Sequence, residues 1–273
     1  MRLDELLVER GLACDLHDAQ AYVMAGEVVV GEHRATSAGM SVKSDVALRF
    51  KSDKRRCGFV SRGGLKLQQA LDAFGFDARG LICADLGASS GGFTDCLLQR
   101  GAAHVSAVDV GVGQFDWGLR NDPRVSLFER TNIRNVSAAD IGGPFDLVVA
   151  DLSFISLVSV MDDVATFLKP RGSFISLIKP QFEVPKEEVG EGGVVRDPQV
   201  HACCITSVFE SARACGLVVC GLTYSPVTGP AGNIEFLFWA KSQPCESPRV
   251  GSMCFDEIER VVTEAHAKLK GKS

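Results

Sequence analysis

No apolar run in this 273-residue sequence is long enough to cross a bilayer. The longest, Ala21–Ala25 and Phe236–Ala240, are five residues each, against roughly 20 for a membrane helix. The opening Met1-Arg2-Leu3-Asp4-Glu5 lacks the apolar core of an export signal. The chain is therefore expected in the cytoplasm, away from membranes. Metal-ligand spacing is missing too. Ten cysteines include no C-x-x-C pair, and five histidines no H-x-x-x-H pair. The expectation is no metal, with thiols reduced and mostly acting as small buried hydrophobes. A net charge of −5 excludes a protein that coats nucleic acid indiscriminately.

What is present suffices for a globular fold of one large and one small domain. Hydrophobic content is 46% and charged content 23%, ordinary values for a soluble chain with a sizeable core. Charge is unevenly spread. Between Arg49 and Lys66 seven basic residues (Arg49, Lys51, Lys54, Arg55, Arg56, Arg62, Lys66) accompany one acid, Asp53. By charge alone this is either a confined phosphate-binding surface or a solvated linker.

Residues 1–50 read as a small α+β unit. Leu3, Leu6, Leu7 and Leu12 have helical spacing, and Ala19, Ala21, Tyr22, Val23 and Ala25 suggest a second helix closed by Gly26. Val28–Val30 and Val46–Phe50 read as short strands. Residues 51–60 form a basic linker. From residue 61 to 242 strand and helix patterns alternate. Strands are predicted at 81–86, 104–110, 125–129, 145–151, 173–178, 218–224 and 234–240, and helices near 62–75, 92–100, 155–168 and 198–215. Such alternation predicts a doubly wound α/β sheet. The loop Ser225–Asn233 is too short for a crossover helix, so the last two strands should form an antiparallel hairpin. Residues 243–273 read as a tail with a helix, whose Ile258, Val261, Val262 and Ala265 share one face.

A glycine-rich turn, Asp85-Leu86-Gly87-Ala88-Ser89-Ser90-Gly91-Gly92-Phe93-Thr94, follows the first strand of this sheet and opens a helix. Its spacing is neither G-x-G-x-x-G nor G-x-x-x-x-G-K-[ST], which argues against a dinucleotide and against a phosphate-gripping loop. Asp109 ends the next strand, where an acid accepts hydrogen bonds from ribose hydroxyls. Asp85 is placed to orient the loop or to meet a cationic amino group. Together these features favour S-adenosylmethionine, and a seven-stranded sheet ending in an antiparallel hairpin is typical of Rossmann-like methyltransferases that use it. The cofactor candidates are Asp85, Gly87, Ser89, Gly91, Gly92, Phe93, Asp109, Val110 and Asn132. For Phe93, and for Trp117, packing in the core stands as the alternative to packing on the cofactor, and the stronger of the two.

Four charged residues sit where this fold places its ligand crevice. Asp151 and Lys179 end strands, Glu235 opens the last strand, and Lys66 lies in the first helix of the α/β region. An apolar stretch ending in Lys179 is costly unless the ammonium is paired, and Asp151 and Glu235 supply partners. The four resemble the tetrad of the FtsJ-like ribose 2′-O-methyltransferases, and that resemblance implies a ribose hydroxyl as substrate, a poor nucleophile whose methylation needs alignment and proton removal. Lys179 is expected to take or steer that proton, its basicity helped by burial and by Lys66. Asp151 would hold Lys179 near the methyl donor, and Lys66 and Glu235 would position ribose and lysine.

These motifs carry a resemblance. Lys66, Asp151, Lys179 and Glu235 resemble the Lys-Asp-Lys-Glu tetrad of FtsJ-like ribose 2′-O-methyltransferases. Val60–Leu67, Asp85–Thr94, Arg130–Arg134, Asp151–Leu157, Lys179–Glu183 and Gly229–Glu235 look like the TlyA/hemolysin A family. Arg2-Leu3-Asp4, Leu7, Gly11-Leu12, Ala19-Gln20 and Gly26–Val30 resemble an S4 RNA-binding domain. The usual Ser-Arg of its second helix is replaced by Asp15-Leu16-His17-Asp18, and residues 1–50 hold five bases against eight acids. The resemblance implies a cytoplasmic enzyme that methylates ribosomal RNA on cytidine ribose, in 16S or 23S RNA or both, as free RNA or in subunits. Arg2, Arg55, Arg56 and Arg62 are the candidate RNA contacts. The alternatives are a non-catalytic ribosome-assembly factor and a membrane-active hemolysin, the family's historical label. The sequence lacks a segment suited to the latter.

Overall fold

The computed structural model describes residues 1–10, 12–13, 15–24, 26–50, 58–242 and 255–269. The first unit holds helices α1 (Leu3–Glu9) and α2 (Leu16–Met24), then strands β1 (Val28–Val30), β2 (His33–Arg34) and β3 (Leu48–Phe50). The strands make an antiparallel sheet in the order β2-β1-β3. Leu3, Leu7, Ala19, Val23 and Val28 form its core, which realises the helical spacing of the leucines. Asp4 is fully buried and ties the helices together. It accepts from Arg2 (Nε 3.0 Å, Nη2 2.7 Å) and from Gln20 Nε2 at 3.1 Å. The Arg2 hydrogen bonds, opposed by burial, pull its pKa down to about 2. The predicted linker lies outside the described residues except for 58–60.

The second unit begins with α3 (Gly63–Phe74) and β4 (Ile82–Leu86). It continues through α4 (Gly92–Gln99), β5 (His104–Val108), α5 (Trp117–Arg120), β6 (Val125–Phe128) and β7 (Phe145–Ala150). Then come α6 (Met161–Phe167), β8 (Leu168–Ile178), α7 (Pro180–Glu183), α8 (Pro198–Ala214), β9 (Leu217–Tyr224), β10 (Phe236–Ser242) and α9 (Phe255–Leu269). The seven strands run β6-β5-β4-β7-β8-β10-β9. β4 to β8 pair in parallel, and β10 is antiparallel to both its neighbours. The hairpin expected from the short loop is thus present, with β10 inserted between β8 and β9.

Strands covered on both faces read as continuous apolar runs, and alternate residues serve alternate layers. Leu147, Val149, Ile175 and Leu177 meet Leu67, Leu71, Phe93 and Leu97 of α3 and α4. Val148, Phe174, Phe236 and Phe238 meet Ile205, Val208 and Phe209 of α8. Ile258, Val261, Val262 and Ala265 of the tail helix complete that second layer, as their shared face predicted.

Several boundaries differ from the sequence reading, among them the start of β8, at Leu168 rather than 173. β5 stops at Val108 because the Asp109 carboxylate turns to the amides of Ser89 and Gly111. The helix expected from 155 is a 3₁₀ turn at Val158–Val160 leading into α6. The preceding residues are held as a loop by Glu183. β10 begins at Phe236, because the Asn233 side chain is bonded to Val195 and Gly193.

Candidate active site

Parallel strands bring their C-terminal ends to one edge, so Asp85, Asp109, Asp151 and Lys179 arrive together there. β10 runs the other way, and its first residues reach the same edge: Phe236 pairs with Ile178, which sets Glu235 beside Lys179. α3 contributes Lys66 from the helical layer above.

The four form a buried chain of charge. Lys179 Nζ lies 2.6 Å from Asp151 Oδ1. Lys66 Nζ lies 2.6 Å from Glu235 Oε2 and 3.9 Å from Asp151 Oδ2. Both lysines are only 8% exposed. Burial works against the Lys66 ammonium, yet the Glu235 and Asp151 carboxylates outweigh it and hold its pKa above the ordinary value. Burial likewise penalises the Asp151 carboxylate, but Lys179 and Lys66 hold it ionised, below its usual range. Two cations thus offset two anions, which is how a protein tolerates charge away from water. Gly229 makes room for the cluster, since a methyl group there would stand 2.7 Å from Glu235 Oε1.

The glycine-rich loop lies alongside. Gly87 has φ +81°, and a methyl group on it would meet the Asp151 carbonyl at 2.9 Å. The loop passes over the end of β7 only because Gly87 has no side chain. Asp109 accepts from Ser89 N at 2.7 Å and Gly111 N at 2.6 Å. Asp85 Oδ2 accepts from Thr94 N (2.9 Å) and Thr94 Oγ1 (2.6 Å), while its buried Oδ1 has no hydrogen-bond partner among the described residues. Burial pushes the Asp85 pKa up to about 7, against the Thr94 hydrogen bonds.

Other candidates occupy less direct places. A methyl group on Gly91 would meet Leu119 at 2.6 Å, and one on Gly92 would overlap Ser61 Oγ and crowd Gly64 N. These two glycines therefore serve protein packing: Gly92 lets the start of α3, and with it Lys66, approach the loop. Phe93, a cofactor candidate for which core packing is the stronger alternative, is 3% exposed within the α3–α4 core. Val110 is exposed beyond β5, and Trp117 is exposed rather than packed in the core. Asn132 accepts from Arg134 N and caps a 3₁₀ turn. Arg62 immediately precedes α3. Arg2 is committed to Asp4 and lines an open cavity of about 680 Å³ with Gln20, Arg34, Thr36 and Ser37. Arg55 and Arg56 lie outside the described residues.

The loop after β7 holds residues whose placement the spacing did not reveal. Ser153 Oγ accepts from Lys179 Nζ at 2.8 Å. Phe154 is 90% exposed at φ +62°, a left-handed backbone that a bulky side chain rarely adopts. Its ring centroid lies 5.2 Å from that of Phe182, and Lys179 Nζ stands 5.9 Å from the Phe182 centroid.

Residues 59–242 match the model of the FtsJ-like methyltransferase family. The chain belongs to that family. It is 46% identical to the 16S/23S rRNA (cytidine-2′-O)-methyltransferase TlyA of Mycobacterium tuberculosis, over 96% of this chain and 97% of that protein. It is 35% identical to hemolysin A of Brachyspira hyodysenteriae, over 87% of this chain and 98% of that one. A solved structure from Streptococcus thermophilus, under a provisional hemolysin name, superposes with TM-score 0.81 at 38% identity and covers 99% and 97% of the two chains.

This FtsJ-like chain is an S-adenosylmethionine-dependent methyltransferase, and its loop fits that molecule. The unpartnered Asp85 Oδ1 offers an acceptor to a cationic group. Gly87 leaves a close backbone approach, and Asp109 stands at the strand end where ribose hydroxyls are met. Among the described residues no helix is long and apolar enough to cross a membrane.

Proposed function

We propose that this FtsJ-like enzyme methylates the ribose 2′-hydroxyl of cytidine in ribosomal RNA, in the cytoplasm. The observation that carries the reading is the closed Lys66–Glu235, Lys66–Asp151, Lys179–Asp151 cluster beside the glycine-rich loop. S-adenosylmethionine, when bound, supplies an electrophilic methyl group, which leaves the chain two tasks: alignment and proton management. Lys179, fixed between Asp151 and Ser153, steers the hydroxyl as the oxygen attacks, and takes its proton only from the uncharged amine form, the ammonium having no lone pair to accept it. Lys66, kept charged by two carboxylates, holds positive charge beside the reacting oxygen and favours loss of that proton. Glu235 and Asp151 fix both lysines.

The exposed Phe154 ring, one residue past Ser153, offers a face on which the target base stacks once it leaves its helix. Arg62 sits one turn before Lys66 and meets the flanking phosphate, with Arg55 and Arg56 preceding it. Arg2 and Arg34 line the cavity of the first unit and add a second contact to RNA. Similarity over nearly the whole chain to a protein named for both 16S and 23S RNA supports targets in both subunits.

The test is transfer of labelled methyl from S-adenosylmethionine to unmodified 30S and 50S subunits and to their free RNAs. Label at a cytidine ribose resisting alkaline cleavage, and absent with Lys179→Ala, is the expected result. Activity retained in Lys179→Ala refutes the proton assignment. Cofactor binding without transfer to any RNA moves the reading to a ribosome-assembly role.

A further inference from the structure

The segment Lys179–Glu183 touches the loop Asp151–Leu157 three times, in step along both chains. Lys179 binds Asp151 and Ser153. Phe182 packs on Phe154. Glu183 then closes the series: Oε2 accepts from Ser156 Oγ at 2.6 Å, and Oε1 from Leu157 N at 2.7 Å. The Val158 amide also hydrogen-bonds to it. Val158 opens the ten-residue helical stretch that runs through the 3₁₀ turn into α6. A carboxylate there satisfies amides that a helix start leaves unpaired and complements its dipole. Leu157, at the start of that turn, supplies no side-chain cap, and the cap comes from Glu183, a different part of the chain. Burial raises the Glu183 pKa, against the hydrogen bonds of Ser156 and Leu157; keeping a carboxylate here costs free energy that a surface residue would not spend.

The loop being held is irregular, and Phe154 within it sits in an unfavourable left-handed backbone. Such conformations persist where the surroundings over-determine them. We propose that Glu183 is a positioning residue that locks the Ser153–Leu157 loop, and so fixes Phe154 and Ser153 relative to Lys179. It acts on orientation of the RNA target and not on cofactor binding. This rests on the reading of Phe154 and Lys179 given above.

The experiment measures kcat and KM for methyl transfer to ribosomal subunits, and S-adenosylmethionine affinity by calorimetry, in Ser156→Ala, Glu183→Gln, Glu183→Ala, Phe154→Ala and the Phe154→Ala/Glu183→Ala pair. Misplacement by about 1 Å costs about 100-fold, so Glu183→Ala is expected to lose about 10- to 100-fold in kcat with cofactor affinity unchanged. Glu183→Gln, which keeps one acceptor oxygen, recovers part of the loss. Ser156→Ala gives a smaller loss of the same kind. Because Glu183 acts through the loop carrying Phe154, the pair is no worse than Glu183→Ala alone. Unchanged kcat in Glu183→Ala, or additive losses in the pair, overturns the proposal. If Glu183→Ala does not fold, Ser156→Ala decides, and wild-type kcat there overturns it. Absence of transfer by the wild-type protein refutes the function reading instead.

Discussion

Replacing Glu235 by glutamine removes one negative charge and almost no volume. The carboxylate is 1% exposed and lies 2.6 Å from Lys66 Nζ. Its loss leaves a buried ammonium with Asp151 alone, at 3.9 Å, and Asp151 already serves Lys179. Breaking a buried pair by removing one partner typically costs about 3–5 kcal/mol, a large share of the roughly 5–15 kcal/mol that keeps a domain folded. At about 2–4 °C per kcal/mol for a domain of this size, Tm should fall by roughly 6–20 °C. The raised pKa of Lys66 adds a signature. Its stabilisation is fully present below the ordinary lysine value and is lost as pH rises through the folded-state value, so Glu235→Gln should flatten the alkaline limb of stability against pH. The second arm is the double variant Lys66→Met/Glu235→Leu. Apolar replacement of a whole buried pair is often neutral or stabilising, so Tm should recover while methyl transfer stays abolished. Thermal denaturation across pH 6–11, with the labelled-methyl assay, measures both. A Tm change under about 2 °C in Glu235→Gln, or a double variant that still transfers methyl at the wild-type rate, refutes the reasoning.

Asp85 predicts a trade between stability and cofactor affinity. Its pKa of about 7 in the fold, against about 3.9 unfolded, means that stability falls as pH rises from about 4 to 7, by at most on the order of 4 kcal/mol. Asp85→Asn keeps an acceptor for Thr94, so urea titrations should show that slope gone and higher stability at pH 8, while calorimetry shows weaker S-adenosylmethionine binding. Phe154→Ala should lower kcat for methyl transfer to ribosomal subunits and leave both cofactor affinity and Tm nearly unchanged; a matching fall in Tm would make the ring a packing residue. Gly92→Ala should cost about 1–3 kcal/mol by overpacking and lower kcat by displacing α3 and Lys66, checked by denaturation and single-turnover transfer. A paired Arg55→Glu/Arg56→Glu change should weaken RNA binding without altering cofactor affinity; equal RNA affinity in a filter-binding assay would remove those residues from the interface.

Much of the site was legible because this fold converts sequence position into spatial position. A charged residue at the end of each predicted parallel strand had to reach one edge, so Asp151 and Lys179 were paired in advance. Glu235 followed from a loop too short for a crossover. The loop Asp85–Thr94 was legible from its glycines, but not what each glycine is for. Gly87 faces Asp151, while Gly91 and Gly92 face Leu119 and Ser61. Trp117 shows the same limit: weighed between the cofactor and the core, it is exposed.

The sequence by itself determined the alternation of elements, the class of sheet and the charged residues at its strand ends, since each depends on local periodicity or on residue type at a strand end, and its motifs carried the resemblance to the family. Tertiary structure alone decided the insertion of β10 between β8 and β9, the 2.6 Å closure of both ion pairs and the exposure of Phe154 at φ +62°. It also decided the capping of a distant helix by Glu183. Each of these joins residues 26 or more apart in the chain or places a side chain in a backbone state no local propensity favours. Only the packed sheet, bringing separate strand ends within hydrogen-bonding reach, supplies the energy that selects them.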